Sequence, residues 1–385
     1  MSSILIVYNT QTFQTDKAIS GGEVRLVNWI RFLLQHTAFR VSILSPKSRH
    51  IKRFIADNNI GLIELPIILM RGPLVAMYMI RAIAAVFRLR GAKSDFVYAP
   101  SDFLPDVVPA AYLALTKNMT WVQLIHHEVP KWRSSGGKSI RALTAYVAQR
   151  LSFAIIKHHA HKIVVMNADM KRRLVKCGFR QPILVAGTAP SFLSGSVSTK
   201  ISISNRSDCC LCVGRIASSK GLDKLIAAWK ELVNRGVRYR LKVIGGGDAN
   251  LLNELKKLVT SAGLDELISF TGFLGRDELE QEYRTAKFLI NGSQEEGWCF
   301  VLHEALQYGL TPISVHTEIL EGVYGKAVIY FHYDNLTTLT QIFRGELTAE
   351  QIGELDNCKK SFLAAHSLEK IFENELAFIS EGEPS

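Results

Sequence analysis

Short apolar runs alternate with longer amphipathic segments along nearly the whole chain. In the first half, runs rich in branched residues predict buried strands at residues 4–8, 41–45, 96–99, 121–125 and 163–166. Apolar residues spaced three and four positions apart predict helices between them, at residues 24–35, 105–115, 138–159 and 168–177. This alternation is typical of a parallel sheet with helices on both faces.

The pattern stops between residues 188 and 208, where the chain is rich in Ser, Thr and Gly. We interpret this stretch as an interdomain linker, because it has little hydrophobic periodicity. A second series follows, with strands predicted at residues 210–213, 240–244, 268–270, 288–291, 312–315 and 327–330. Helices are predicted between them at residues 220–234, 250–261, 276–286 and 301–308.

The two series predict an α/β protein with two doubly wound, Rossmann-like domains, at residues 1–190 and 191–361. We expect residues 362–385 to form a C-terminal helix that packs back on the first domain. Ligands bind beyond the carboxyl ends of parallel strands, so two such domains facing each other would enclose a substrate cleft.

The charge is distributed unevenly between the two halves. The 385 residues have a net charge of +11. Residues 1–190 hold 26 Lys and Arg against 9 Asp and Glu, a net of +17, whereas the remainder holds 20 against 26, a net of −6. We therefore expect the first half to face an anionic partner. Six Cys without framework spacing, and a start that lacks the pattern of a signal peptide, favour a cytoplasmic location.

Two segments of the first half combine apolar and basic residues, at residues 73–90 and 138–162. Neither is expected to span a bilayer, since Arg71, Pro73, Arg81 and Arg88 interrupt the most apolar stretch. Two interpretations stay open for each segment. It is either a domain helix with a basic exposed edge or an interfacial helix that dips into an anionic membrane.

Three glycine-bearing turns follow predicted strands of the second half, at Gly214, at Gly245 and Gly246, and at Gly297. Glycine lets a backbone approach a ligand closely, and the helix starts that follow offer unpaired N–H groups to phosphate. Arg215 and Lys220 flank the first of these loops. Two cations there can hold a diphosphate and stabilise the charge that grows on it as it leaves, although ordinary surface cations near a turn are the simpler alternative.

Two glutamates, Glu296 and Glu304, lie eight positions apart in a strand-end loop and the helix that follows it. Carboxylates accept hydrogen bonds only, which suits the vicinal hydroxyls of a ribose or a hexose. The backbone N–H groups of Phe300, Val301 and Leu302 lie between them at the predicted helix start. The segment could thus bind a sugar, a diphosphate and a ribose in sequence.

Three stretches of the second half carry a family resemblance: GRIASSKGLDKLI, FTGFLGRDELEQEYRTAKFLINGS and EGWCFVLHEA, in this order. Together they resemble the retaining glycosyltransferases of GT-B architecture, family 4. The resemblance implies that Glu304 binds the nucleotide ribose, that Glu296 contacts the donor sugar, and that Arg215 and Lys220 bind the diphosphate. The sequence departs from the family pattern at Cys299, where the family usually has Gly.

The first half resembles the acceptor domain of that family. The apolar run at residues 4–8, followed by Gly22 at a helix start, resembles the loop that approaches the donor phosphates. The strand at residues 121–125 resembles the strand that ends in a histidine contacting the donor sugar. His126 is our candidate for that role and His127 is the second, with a structural histidine as the alternative.

The resemblance implies transfer of a hexose-type sugar from a nucleotide diphosphate sugar to an acceptor, with retention of configuration. We expect the acceptor to be an anionic or lipid-linked glycan precursor of a surface polysaccharide, and the protein to be peripheral on the inner face of the plasma membrane. The chain has no Asp-any-Asp pair, so we expect no metal site and no cofactor beyond the donor co-substrate.

Two other functional classes remain open. An epimerase or a phosphorylase could use the same scaffold, because a fold does not fix a function. A non-enzymatic nucleic-acid binder would account for the net charge alone, and no nucleic-acid motif accompanies that charge.

Overall fold

The computed structural model describes residues 2–10, 21–47, 49–58, 60–65, 74–126, 128, 140–190 and 206–381. The chain divides into two compact units, of which the first comprises Met1–Thr188 with Glu369–Ser385 and the second Ala189–Leu368. The sequence-based boundaries were residues 190 and 361. Most of the expected linker, residues 191–205, lies outside the described residues.

The first unit is built on a seven-stranded parallel sheet with the strand order β3-β2-β1-β4-β5-β6-β7. Its strands are β1 (Ser3–Val7), β2 (Arg40–Pro46), β3 (Gly61–Leu65), β4 (Phe96–Ala99), β5 (Thr120–Ile125), β6 (Lys162–Val165) and β7 (Ile183–Val185). The five strands predicted in this half are confirmed. β3 was not predicted because it is short and partly polar, and β7 was not predicted because it has only three residues.

Helices cover both faces of this sheet. They are α1 (Gly21–His36), α2 (Arg49–Asn58), α3 (Leu74–Arg88), α4 (Leu104–Lys117), α5 (Ile140–His159), α6 (Ala168–Lys176) and, at the end of the chain, α14 (Leu368–Ser380). Leu5 and Val7 of β1 belong to the core cluster shared with helices α3 to α6. Tyr98 of β4 contacts Trp29 of α1 on the opposite face, and Phe372 of α14 packs on the same Trp29 ring.

The second unit is built on a six-stranded parallel sheet with the strand order β10-β9-β8-β11-β12-β13. Its strands are β8 (Ser207–Val213), β9 (Arg240–Ile244), β10 (Ile268–Gly272), β11 (Ala286–Asn291), β12 (Thr311–Val315) and β13 (Ile329–Phe331). Its helices are α7 (Leu222–Asn234), α8 (Ala249–Ser261), α9 (Arg276–Thr285), α10 (Phe300–Gln307), α11 (Glu318–Tyr324), α12 (Thr337–Arg344) and α13 (Ala349–Ala365). The prediction of two doubly wound α/β domains is therefore confirmed.

Two predicted helices differ from the observed ones. The helix expected from residue 220 begins at Leu222, because Gly221 has a left-handed φ of 63° and Lys220 ends a separate short 3-10 turn. The final segment expected as one helix from residue 362 is divided, since α13 ends at Ala365 and α14 starts at Leu368.

The strand order of each sheet reverses at one point. It reverses between β1 and β4 in the first unit and between β8 and β11 in the second. At such a switch point the connecting helices leave toward opposite faces, which opens a crevice at the carboxyl ends of the two strands. Among the described residues, no helix combines the length and hydropathy that crossing a membrane requires.

Candidate active site

A small pocket opens at the β8/β11 switch point of the second unit. It is lined by residues from the loop after β8 and by the end of β11, including Gly214, Arg215, Lys220, Asn291 and Gly292. The structure thus brings three of the predicted site residues together at the position where doubly wound sheets bind ligands.

Lys220 and Glu296 form an ion pair beside this pocket. The Lys220 Nζ lies 2.5 Å from Glu296 Oε1, and the two side chains are 30% and 13% exposed. Burial acts to lower the pKa of Lys220, but the charge and the hydrogen bond of Glu296 outweigh it, so the pKa is raised. The lysine is therefore cationic at neutral pH despite its partial burial.

Arg215 supplies a second cation to the same pocket. Its side chain is exposed, and its positive charge acts to lower the pKa of Lys220. The two cations are thus close enough to repel one another, although the pairing of Lys220 with Glu296 reduces the repulsion. An anionic group bound between Arg215 and Lys220 would offset the remaining repulsion between them.

A network that the sequence did not indicate holds the loops of this site. Ser293 Oγ donates to the carbonyl of Ser219 at 3.0 Å, which joins the loop after β11 to the turn that carries Lys220. Tyr333 Oη donates to the carbonyl of Gly292 at 2.9 Å. These contacts link residues more than 40 positions apart, so no short motif could have revealed them.

The glycine turns after β8 and β9 contact each other directly. Gly245 has a φ of 143°, and a Cβ added there would lie 1.8 Å from the carbonyl oxygen of Gly214. Gly214 N–H donates to the Ile244 carbonyl and Gly245 N–H to the Gly272 carbonyl. Packing between loops therefore requires glycine at 245. At Gly246 the nearest atom to an added Cβ is 3.9 Å away, so packing does not require it there.

Glu304 is buried in α10, and no described hydrogen bond joins it to Arg215 or Lys220. Tyr283 Oη donates to Glu304 Oε2 at 2.5 Å. Burial raises the pKa of Glu304 to about 7, while the hydrogen bond from Tyr283 acts to lower it. The sequence analysis missed Tyr283, which is the one buried residue of the polar helix α9. The signal that could have identified it is a single aromatic residue on an otherwise polar helix.

Cys299 lies between the two glutamates and has an unusual backbone conformation. Its φ of 59° and ψ of 76° place it in the left-handed region immediately before α10. Glycine adopts that region without strain, which explains in physical terms why a glycine would suit this position. Burial, followed by the charge of Glu296, holds the pKa of the Cys299 thiol well above its usual value.

At the start of α10, one of the three backbone N–H groups expected to be available to a ligand already has a partner. The N–H of Leu302 donates to the Cys299 carbonyl at 3.1 Å. Phe300 and Val301 are partly exposed in the same first turn, as is Gly297 in the loop before it. Of the three predicted amides, Leu302 is thus already engaged.

His126 and Gly22 are neighbours in the first unit. The His126 Nε2 lies 3.0 Å from the Pro100 carbonyl, which can only accept, so this nitrogen carries the proton. A Cβ added to Gly22 would lie 3.1 Å from the same Nε2. The structure therefore joins the two predicted residues of this half at the carboxyl end of its sheet. His127 lies outside the described residues.

The three clustered cysteines of β8 are part of the hydrophobic core. Cys209, Cys210 and Cys212 are all buried. Within the described part of the chain, no group of three or more His, Cys, Asp or Glu side chains is placed to hold a metal ion.

Comparison with known proteins matches the second unit in sequence and both units in fold. Residues 198–335 match the model of the family described as glycosyl transferases group 1. Mannosylfructose-phosphate synthase of Agrobacterium fabrum is 30% identical over 128 residues, which cover 31% of this chain and 28% of that protein. Alpha-monoglucosyldiacylglycerol synthase of Streptococcus pneumoniae is 25% identical over 118 residues, covering 31% of this chain and 26% of that protein.

A solved structure extends the likeness over the whole chain. HepE of Anabaena, in complex with UDP and glucose, superposes with a TM-score of 0.70 at 13% identity, covering 99% of this chain and 100% of HepE. The chain spans only about a quarter of the length of these two curated relatives. The chain thus has the GT-B fold, and its residues 198–335 are similar to the family described as glycosyl transferases group 1.

Proposed function

We propose that the protein is a hexosyltransferase of glycosyltransferase family 4 that moves a sugar from a nucleotide diphosphate sugar to an acceptor, with retention of configuration. The observation that carries the proposal is the Lys220–Glu296 pair beside Arg215, at the β8/β11 switch point. The matched family model over residues 198–335 supports it.

The two cations suit the leaving group of this reaction. An ammonium has three donors, and the described hydrogen bond to Glu296 uses one of them, so Lys220 can bind diphosphate oxygens without releasing Glu296. Arg215 approaches the same pocket from solvent. Together they would stabilise the charge that develops on the diphosphate as the glycosidic bond breaks. Glu296, held by Lys220, would orient the donor sugar.

Glu304 is the proposed ligand of the nucleotide ribose. Its second oxygen, Oε1, can accept from a ribose hydroxyl while Oε2 stays bonded to Tyr283. The glycine loops at Gly214, Gly246 and Gly297 and the first turn of α10 would approach the rest of the donor. Gly22 and His126 would contact the donor from the first unit, with His126 near the transferred sugar.

The scheme uses no metal, because Arg215 and Lys220 would donate to the diphosphate and stabilise its charge. In this scheme Glu296 orients the donor sugar rather than attacking it, and no residue is assigned as a covalent nucleophile. We therefore propose that the acceptor attacks from the face that the diphosphate leaves, through a short-lived oxocarbenium-like state. Retention follows from that geometry.

The proposed acceptor is a lipid-linked glycan precursor of a surface polysaccharide, used at the inner face of the plasma membrane. The net charge of +17 over residues 1–190 supports an anionic acceptor or surface. One relative, matched over 118 residues, is named for a glucosylated diacylglycerol.

A transfer assay tests the reaction class. Purified protein would be screened against nucleotide sugars by thermal shift, beginning with UDP-glucose because HepE was solved with UDP and glucose. Nucleoside diphosphate release should then require a lipid-linked acceptor, should survive EDTA, and should give a product with the donor's anomeric configuration. Conversion of the nucleotide sugar without an acceptor would identify an epimerase, and a requirement for inorganic phosphate would identify a phosphorylase.

A further inference from the structure

Helix α3 presents apolar residues on its exposed side. Met79, Ile80, Ile83 and Phe87 recur at helical spacing, and they are 45%, 45%, 51% and 56% exposed. The opposite side of the helix is buried in the core through Ala85. A surface helix normally turns charged residues to water, so this helix has the reverse polarity on its outer face.

Helix α5 has a second stripe of the same kind. Leu143, Val147 and Leu151 repeat every four residues and are all exposed, with Leu151 at 55%. Its buried side packs through Phe153 and Ile156 into the same core cluster as α3. Because α3 and α5 contact each other and both pack on α4, the two stripes lie on one side of the first unit.

The charged side chains on the two helices themselves are all basic, and Arg150 of α5 pairs with Glu128 beside it. Neither α3 nor α5 contains an Asp or a Glu. Arg88 and Arg90 are exposed at the end of the α3 stripe, and Lys157 lies near the end of α5. The Arg90 guanidinium sits 4.1 Å from the centre of the Phe87 ring, which places a cation directly over the last apolar residue of the stripe.

We propose that the apolar stripes of α3 and α5 form the surface by which the protein docks on an anionic lipid bilayer. The side chains of the stripes would enter the boundary between headgroups and acyl chains, while the flanking Arg and Lys side chains bind lipid phosphates. A soluble anionic partner would satisfy the cations but leave the apolar residues exposed, so a lipid surface accounts for both features.

This surface deepens the proposed function, because it names the face that would bring the enzyme to a lipid-linked acceptor. Its test needs neither donor nor acceptor. Failure of membrane binding would leave glycosyl transfer standing, and thermal-shift binding of UDP would report on the donor site independently.

The experiment is sedimentation with vesicles of phosphatidylcholine containing phosphatidylglycerol, and with vesicles of phosphatidylcholine alone. The purified protein should bind the anionic vesicles and should bind the neutral ones weakly. Ile83→Glu combined with Phe87→Glu should reduce binding at least ~10-fold, and Val147→Glu combined with Leu151→Glu should act in the same direction. Arg88→Gln with Arg90→Gln should weaken the binding chiefly at low salt.

A matched control is available in the second unit. Leu258 and Ile352 are comparably exposed, at 45% and 41%, and their change to Glu should leave vesicle binding unaltered. Phe87→Ser serves as a milder variant if a double variant unfolds. Equal binding by wild type and stripe variants would overturn the proposal, as would a wild-type dimer that the stripe variants dissociate, because a second copy would then cover the surface.

Discussion

The ammonium of Lys220 and the carboxylate of Glu296 lie 2.5 Å apart, although 76 positions separate them in the chain. The pair joins the turn after β8 to the loop after β11, so it spans the switch point of the second sheet. The residue proposed to bind the diphosphate and the residue proposed to contact the sugar are thus in direct contact. Movement of one is expected to affect the other.

Lys220→Ala should reduce turnover by roughly 10²-fold and donor affinity by much less, because the contact to the diphosphate tightens as charge develops on it. Steady-state kinetics with a saturating acceptor would give both values. Lys224→Ala is the control, since Lys224 is exposed on α7 and bonds to Gln294. Equal losses in turnover and affinity for Lys220→Ala would indicate a binding role in the ground state only.

The buried carboxyl of Glu304 should make stability depend on pH. Burial raises its pKa to about 7 from an ordinary value of 4.5. Between these pH values the folded state keeps a proton that the unfolded state has released. The free energy of unfolding of the wild type therefore falls as pH rises from about 4.5 to about 7. Glu304→Gln should remove this dependence and gain stability over wild type by up to ~3 kcal/mol between about pH 4 and about pH 8.

Urea unfolding of both proteins across that range measures the effect. Asp106, whose pKa burial also raises to about 7, adds the same background to both proteins and cancels in the difference. A difference between wild type and Glu304→Gln that stays constant with pH would contradict the assigned pKa.

Tyr283 is expected to act as a positioning residue for Glu304. Its hydrogen bond lowers the pKa of Glu304, so Tyr283→Phe should raise that pKa and protonate more of the carboxyl at neutral pH. Affinity for the nucleoside diphosphate should fall at about pH 7 and recover at higher pH, which a purely structural defect would not do. Calorimetric titration across pH tests this. Tyr308→Phe, which alters the ring stacked on Tyr283, is the control and should keep the wild-type profile.

Most of the fold could be predicted from the sequence, because buried strands and amphipathic helices alternate along the chain and leave a strong periodic signal. It failed where backbone geometry interrupts that signal, as at Gly221, where a left-handed residue separates Lys220 from α7. β3 and β7 were also missed, because β3 is partly polar and β7 is a very short run at the edge of the sheet.

The candidate site was predictable only as far as local motifs reach. Residues near one another in the chain, such as Arg215 and Lys220, were found together because the loop after one strand carries both. The partners Tyr283 and Tyr333 were not found, because their hydrogen bonds cross from other elements. Contacts of that kind depend on the sheet order, which hydrophobic periodicity does not specify.

Two adjacent glycines should respond differently to the same substitution. Gly245→Ala would place a Cβ against the Gly214 carbonyl at a φ unfavourable for alanine, so we expect a loss of several kcal/mol or failure of the loop to close. Gly246→Ala meets no atom closer than 3.9 Å and should change the free energy of unfolding by less than ~1 kcal/mol. Chemical denaturation compares the two, and similar losses would argue against the loop-packing explanation.

The last prediction concerns the buried ion pair that fastens α14 to the first unit. Glu375 pairs with Arg25 of α1 and accepts a hydrogen bond from Tyr98 Oη at 2.7 Å, and all three side chains are essentially inaccessible to water. Arg25 Nε also donates to the Gly187 carbonyl at 3.3 Å, next to the end of the first unit's main segment.

Glu375→Ala would leave the Arg25 charge buried without its counterion. The expected cost is about 3–5 kcal/mol, far more than the pair itself contributes, because an unpaired buried charge is poorly solvated. Glu373→Ala removes an exposed carboxylate from the same helix and should change stability by less than ~0.5 kcal/mol. Replacing both partners, with Arg25→Met and Glu375→Leu, should recover part of the loss in urea unfolding, since neither charge then remains. A double variant no more stable than Glu375→Ala would show that the packing of α14, rather than the charge on Arg25, sets the cost.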